Sequence, residues 1–366
     1  MSILSASFKS CFKNPKVELF NIDTKKSIII ELNSNEFTFD DELYNRVVFY
    51  DNNHKTNMMP LNKLCRNFIY DEEKNVGILK PITPHGKLEY FILVDKENLS
   101  YLEKPQKAIY VYTPSGYTPD KEYPLLYSFD GQSLFDELLG DLQKPKYGSF
   151  KMENIMNTCS LNNVFESIIV GIDNGDIYRD KELTMDHKIF GELDKTLDES
   201  ANFEDGHLDE LIKFILMTVK PFIYKNYSIT FDLNKIGITG ASSGGLASFY
   251  AGMLFPLEFG YVLSFSPAIG LFTLNSWKKF IDENVKGKLP RLYFYCGYDL
   301  KNEKDLETTL YTRMLPVIKL VKEKYQRKNL KEAYMPKGIH HESIWALYFT
   351  EGYLFGINDR GEKKYV

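Results

Sequence analysis

The sequence predicts an α/β fold, a mostly parallel sheet covered by helices on both faces and preceded by a small β-rich module. Three observations carry this. From Ala108 onward, short apolar runs alternate with segments of helical period. Before Ala108, apolar and polar residues alternate over short stretches and no long helical period develops. The 366 residues are 43% hydrophobic and 26% charged, so the chain has more to bury than one small core.

In the first hundred residues the strand candidates are Lys26-Ser-Ile-Ile-Ile-Glu-Leu, Arg46-Val-Val-Phe-Tyr and Tyr90-Phe-Ile-Leu-Val, separated by Asn- and Asp-rich stretches. They suggest a small antiparallel module ending between Leu102 and Lys107, which divides the chain into residues 1–105 and 106–366. Beyond it the strand candidates are Ala108-Ile-Tyr-Val-Tyr, Pro124-Leu-Leu-Tyr-Ser-Phe, Ser167-Ile-Ile-Val-Gly-Ile, Lys235-Ile-Gly-Ile-Thr, Tyr261-Val-Leu-Ser-Phe, Leu292-Tyr-Phe-Tyr-Cys and Glu332-Ala-Tyr-Met. Helices fit between them. His207 to Tyr224 repeats apolar residues at helical spacing with Asp205 as N-cap, Leu246 to Phe255 follows a glycine pair, and Leu306 to Tyr325 is helical with Pro316 expected to kink or split it.

Composition narrows the function. Lys+Arg 45 against Asp+Glu 50 gives a net charge of −5 with no long run of either sign, which argues against a nucleic-acid partner. The four cysteines, Cys11, Cys65, Cys159 and Cys296, form no C-x-x-C pair, which argues against a zinc site and a disulfide framework and for a reducing compartment. The N-terminus lacks the apolar core of a signal peptide, and no run approaches the roughly 18 apolar residues of a membrane span. The expectation is a cytoplasmic protein without a membrane partner. Asp173-Asn-Gly-Asp176 lacks the alternating spacing of a calcium loop and reads as a turn.

One segment carries chemistry. Lys235 to Thr239 runs into Gly240-Ala241-Ser242-Ser243-Gly244-Gly245 and then a small-residue helix start, which is G-x-S-x-G between a strand and a helix. The nucleophile of such a turn sits at unusual backbone angles where flanking side chains collide, so glycines bracket Ser242. Ser243 is a rival without the paired glycines. A serine hydroxyl needs a base, and among six histidines His340 and His341 follow the last strand. The chain order Ser, acid, His is that of α/β-hydrolases. Asp299 lies nearest the end of the Leu292–Cys296 strand, with Glu303 and Asp305 further along. For an oxyanion hole, the N–H of Ser243 supplies one donor. Asp130-Gly131-Gln132 either presents the N–H of Gln132 as the second or is an ordinary turn.

From about Ala108 to Phe349 the chain resembles the putative esterase family, which includes esterase D, feruloyl esterases, mycolyltransferases and enterochelin esterase. The similar segments are Val111-Tyr-Thr-Pro with Tyr123-Pro-Leu-Leu-Tyr-Ser-Phe-Asp-Gly-Gln, Ile169-Val-Gly-Ile-Asp-Asn with Arg179-Asp-Lys-Glu-Leu-Thr, Gly240 to Gly245, and His340-His-Glu-Ser-Ile-Trp345. The H-x-E-x-x-W ending implies His340 rather than His341 as the base, and the residue after the D-G pair implies Gln132 as an oxyanion donor. The resemblance puts the acid at Leu300, so Asp299 fits with a one-residue shift and Glu303 is the alternative. The N-terminal module resembles the β-sandwich that precedes the catalytic domain of enterochelin esterase.

The sequence therefore points to an α/β-hydrolase domain behind a β-sandwich-like module, acting as a serine carboxylester hydrolase through Ser242, His340 and Asp299 with Gln132 and Ser243 as oxyanion donors. No metal or organic cofactor is required. The partner is a small-molecule ester, for which the resemblance implies a siderophore-type lactone or another small acylated metabolite; a homo-oligomer is left open. The rival readings are an esterase of feruloylated or acetylated carbohydrate, an acyltransferase using the same triad, and a non-catalytic glycan-binding protein.

Overall fold

The computed structural model describes residues 86–357 apart from 116, 136–147, 162–165, 195, 197–205 and 326. Before them it describes 2–7, 12–21, 24–33, 36–39, 43–44, 46–53, 55, 59–60, 67–71 and 76–80. The chain divides into two compact units, Met1–Pro84 and His85–Val366.

The first unit holds two four-stranded sheets. Strands β1 (Ser2–Ser7), β4 (Glu36–Phe39), β7 (Asn67–Asp71) and β8 (Val76–Lys80) form one in the order β4-β1-β7-β8. Strands β2 (Lys16–Phe20), β3 (Ser27–Glu31), β5 (Arg46–Tyr50) and β6 (Met59–Pro60) form the other in the order β3-β2-β5-β6. In β2 the alternation is direct: Val17 and Leu19 are buried between half-buried neighbours. The expected antiparallel pairing holds throughout the second sheet, but β1 pairs with β7 in parallel. The long connection between those two strands imposes no hairpin constraint.

The second unit is built on an eight-stranded sheet in the order β16-β15-β14-β13-β11-β12-β10-β9. Its strands are β9 (Lys87–Val94), β10 (Gln106–Thr113), β11 (Leu125–Ser128), β12 (Ile168–Ile172), β13 (Ile236–Ala241), β14 (Tyr261–Phe265), β15 (Arg291–Tyr298) and β16 (Leu330–Pro336). From β12 to β16 across the sheet every pair is parallel; β10 and β9 close one edge antiparallel. The boundary expected near residue 105 thus falls earlier, at Pro84. The alternating pattern of β9 suited a small module, yet the strand pairs along its whole length with β10, from Lys87 opposite Thr113 to Val94 opposite Gln106.

Helices cover both faces. They are α1 (Met152–Leu161), α2 (Arg179–Glu182), α3 (His187–Phe190), α4 (Leu208–Phe214), α5 (Lys220–Asn226), α6 (Ser243–Leu254), α7 (Leu274–Asn284), α8 (Leu306–Lys324) and α9 (Glu342–Ile357). Successive strand residues point to opposite cores. Leu292, Phe294 and Cys296 of β15 pack with α4 to α8, whereas Tyr293 and Tyr295 pack with α1 and α9. A π-helical turn, Ile215–Val219, joins α4 to α5, so the helix expected over 207–224 runs on past its middle. Its start is His207 without a side-chain cap, and the expected cap Asp205 lies outside the described residues. Pro316 does not split α8, because the proline sits on the exposed face, where water can take the freed carbonyl. Among the described residues no helix is long and apolar enough to cross a membrane.

Candidate active site

In open parallel sheets, ligands bind beyond the carboxyl ends of the strands. Here those ends deliver Asp130 after β11, Asn174 after β12, Ser242 after β13, Ser266 after β14, Asp299 after β15 and His340 after β16.

Ser242 caps α6 with φ 58° and ψ −123°, backbone angles that cost a non-glycine residue about 1–3 kcal/mol. Three bonds hold it there: its N–H donates to Phe265 O at 2.9 Å, and its carbonyl accepts from Ala268 N at 3.0 Å and Leu246 N at 3.1 Å. Of the three glycines around Ser242, Gly240 and Gly245 are steric requirements, whereas a Cβ on Gly244 would come no nearer than 3.1 Å, to Asp130 Oδ2. A Cβ on Gly240 would lie 2.5 Å from Gly244 O, and one on Gly245 2.7 Å from Phe265 O. Ser242 is half-buried while residues 243 to 253 are buried, so its side chain is the accessible one of the segment. The N–H of Ser243, at the first position of α6, has no carbonyl within the helix to bond.

His340 Nδ1 lies 2.8 Å from Glu307 Oε1. Glu307 is 1% exposed and stands in the first turn of α8, whose N-terminal dipole favours a carboxylate. Its second oxygen, Oε2, accepts from Gly297 N at 2.9 Å, Ser266 Oγ at 3.0 Å and Cys296 Sγ at 3.3 Å. Burial beside this carboxylate pushes the Cys296 thiol far above its ordinary value. The carboxylate at His340 is therefore neither Asp299 nor Glu303. Asp299 turns its side chain to the N–H of Lys301 at 3.1 Å while its own N–H donates to Thr308 Oγ1 at 2.7 Å, so it closes the loop before α8. Glu303 is exposed in that same loop. Of the histidine pair, His341 is engaged at the start of α9, accepting from Ser343 N at 3.1 Å. Among the described residues no hydrogen bond joins the Ser242 hydroxyl to His340.

Gln132 lies in a 3-10 turn, Gly131–Ser133, begun by Asp130 at φ 56°. Arg179 holds the Asp130 carboxylate at two points, Nε to Oδ1 at 2.6 Å and Nη2 to Oδ2 at 2.8 Å. Asn174 Nδ2 adds a third bond to Oδ1 at 2.7 Å, and Asn174 N donates to the Gln132 side chain at 3.2 Å. The loops after β11 and β12 are thereby locked together. Burial opposes the Arg179 charge, but Asp130 outweighs it and holds the guanidinium above its ordinary value. Asp180 stands 3.5 Å from Ser243 Oγ, and burial pushes the Glu342 carboxyl up. Beneath the loop a buried pair, Lys107 Nζ to Glu182 Oε1 at 2.7 Å, anchors α2 to β10. Among the described residues no group of three or more His, Cys, Asp or Glu side chains could hold a metal ion.

Residues 103–354 match the family described as putative esterase. The chain belongs to that family. This esterase is a carboxylic ester hydrolase with an α/β-hydrolase fold. It is 23% identical over 271 residues to the uncharacterised protein YbbA of Bacillus subtilis, spanning 72% of this chain and 98% of that protein. Among solved structures it resembles the siderophore hydrolase EstB from Aspergillus nidulans, with a TM-score of 0.57 and 19% identity over 78% of this chain and 99% of the other. The feruloyl esterase module from Clostridium thermocellum gives a TM-score of 0.54 at 16% identity, over 78% of this chain and 93% of that one.

Sequence reasoning missed Glu307, although the sequence held a signal. Glu307, Leu310, Met314, Val317, Ile318 and Val321 recur at helical spacing on the buried face of α8. A carboxylate on an apolar helix face must find a partner.

Proposed function

We propose that this esterase works through a serine nucleophile, with Ser242 attacking an ester carbonyl and His340 accepting its proton. The bond between His340 Nδ1 and the buried Glu307 is the observation that carries the reading. In this reading the Nδ1–H of His340 donates to the carboxylate, which leaves Nε2 as the basic nitrogen and stabilises the imidazolium formed during attack. The N–H groups of Gln132 and Ser243 are proposed as donors to the oxyanion. Collapse of the tetrahedral intermediate expels the alcohol, which takes the proton back from His340. Water, deprotonated by the same histidine, then releases the acid from Ser242.

For the substrate we propose a siderophore-type lactone or another small acylated metabolite. The likeness to a siderophore hydrolase supports the class. The charge around the site supports an uncharged ester over an iron-loaded catecholate anion: Arg179 is neutralised by Asp130, while Asp180 and Glu342 stand near it.

The test is hydrolysis of p-nitrophenyl acetate and butyrate by the wild type, Ser242→Ala and His340→Ala. The expected result is turnover by the wild type and a loss of several orders of magnitude in both folded variants, on the order of 10⁴-fold or more. A Ser242→Ala protein as active as the wild type would overturn the mechanism. Mono-p-nitrophenyl succinate should be a poorer substrate than the butyrate; the reverse order would overturn the charge argument.

A further inference from the structure

We propose that Ser266 and Trp345 are positioning residues that fix the orientation of the Glu307 carboxylate, and through it that of His340; the inference rests on the serine mechanism proposed above. Four side chains close a circuit. Trp345 Nε1 donates to Ser266 Oγ at 2.9 Å, Ser266 Oγ donates to Glu307 Oε2 at 3.0 Å, and Glu307 Oε1 meets His340 Nδ1 at 2.8 Å. The edge-to-face contact of the His340 and Trp345 rings, 4.8 Å between centroids at 89°, completes it.

The direction of every proton in this circuit is set by chemistry. An indole N–H only donates and an ionised carboxylate only accepts, so the Ser266 hydroxyl must accept from Trp345 and donate to Glu307. A serine between two such partners has one orientation. With Ser266, Gly297 and Cys296 all donating to Oε2, the other oxygen is left to the imidazole. Ser266 is fully buried and Trp345 5% exposed, so water does not compete for these bonds.

Ser266 also sits where the nucleophile is held. It has φ 39°, its N–H donates to Tyr295 O at 2.6 Å, and Phe265 before it and Ala268 two residues after it make two of the three bonds that fix the Ser242 backbone. The end of β14 therefore registers the nucleophile turn and the base against one another. Packing alone would be served by any small residue at 266 and any aromatic residue at 345.

The experiment measures kcat/KM for p-nitrophenyl butyrate across pH, together with thermal midpoints, for the full chain and for Ser266→Ala, Trp345→Phe and the double variant. Phenylalanine keeps an aromatic ring beside His340 and removes the indole N–H together with the volume of the second ring, whose packing cost the thermal midpoint reads. The expected result is a drop in kcat of about tenfold for Ser266→Ala and about threefold for Trp345→Phe, with KM nearly unchanged. Ser266→Ala removes a donor to Oε2, and Trp345→Phe weakens the same bond by freeing the Ser266 hydroxyl to rotate. Either leaves the Glu307 charge less compensated, which favours the imidazolium, so the acid limb of the profile moves to higher pH, further in Ser266→Ala. The double variant should be no worse than Ser266→Ala, because Trp345 acts through Ser266. Wild-type activity per folded molecule with an unmoved acid limb, or fully multiplicative losses, would overturn the proposal. If Ser266→Ala does not fold, Trp345→Phe carries the test by the same two readouts. Ser242→Ala in the same assay separates the two claims: activity there removes the serine mechanism, whereas an inert Ser242→Ala beside wild-type-like Trp345→Phe and Ser266→Ala removes this inference alone.

Discussion

Arg179 grips the Asp130 carboxylate with two bonds, one to each oxygen, Nε to Oδ1 at 2.6 Å and Nη2 to Oδ2 at 2.8 Å. Asp130 sits in the left-handed region at the start of the turn that carries Gln132, so this clamp supports the proposed oxyanion donor rather than a substrate group. Arg179→Ala should lower kcat for p-nitrophenyl butyrate by about 10- to 100-fold, less than complete loss of an oxyanion donor. Arg179→Lys should restore little, since an ammonium cannot match both carboxylate oxygens. Wild-type kcat in Arg179→Lys would show that the fork geometry is irrelevant.

The two acids make opposite predictions. Glu307→Gln keeps the size of the side chain but cannot hold the imidazole in the same tautomer, and kcat should fall by about 10²- to 10⁴-fold. Asp299→Asn should stay within about twofold of wild type, because that carboxylate is spent on the N–H of Lys301 in its own loop. Steady-state kinetics of the two variants, with circular dichroism to confirm folding, decides between them. A larger loss in Asp299→Asn would return the acid to that position.

Burial raises the Asp173 carboxyl from 3.8 to about 6, against the opposing pull of Lys107. The folded state thus holds a proton that the unfolded chain has already released between those values. Stability from this group is present below pH 3.8, falls as pH rises toward 6 and stays reduced above it. Asp173→Asn should therefore gain thermal midpoint relative to wild type as pH rises through that window. A midpoint difference that is the same at pH 4 and pH 7.5, on the order of the scatter between scans, would contradict the shift.

The Lys107–Glu182 pair lies among side chains with 2% and 0% exposure, and Glu182 also accepts from Tyr101 Oη at 2.9 Å and Gly175 N at 2.6 Å. Lys107→Met strands that carboxylate without its cation and should cost about 3–5 kcal/mol in urea unfolding. Adding Glu182→Gln should recover part of the loss, because the amide needs no counter-charge. A single Lys107→Met cost below about 1 kcal/mol would mean the pair contributes little.

Much of the catalytic unit was legible because its signals are local. A strand of period two, a helix of period 3.6 and a turn forbidden to side chains are each written within about ten consecutive residues. The strand candidates from Ala108 to Met335 correspond to β10 through β16, and Gly240 to Gly245 forms the strained turn at Ser242. The early boundary was not legible, since β9 looks like any half-exposed strand until β10 is found beside it. Nor did Pro316 break α8, because whether a proline is tolerated depends on which face it occupies.

The sequence by itself determined the layered α/β architecture and the glycine-bracketed turn at Ser242, both consequences of short-range sterics and periodicity. Only the tertiary structure decided that His340 meets Glu307, 33 positions away, and that Asp130 belongs to Arg179, 49 positions away. A carboxylate's partner depends on which helix face turns inward and which strand ends share a sheet edge. Those are properties of the packed sheet, and no stretch of chain between the two partners encodes them locally.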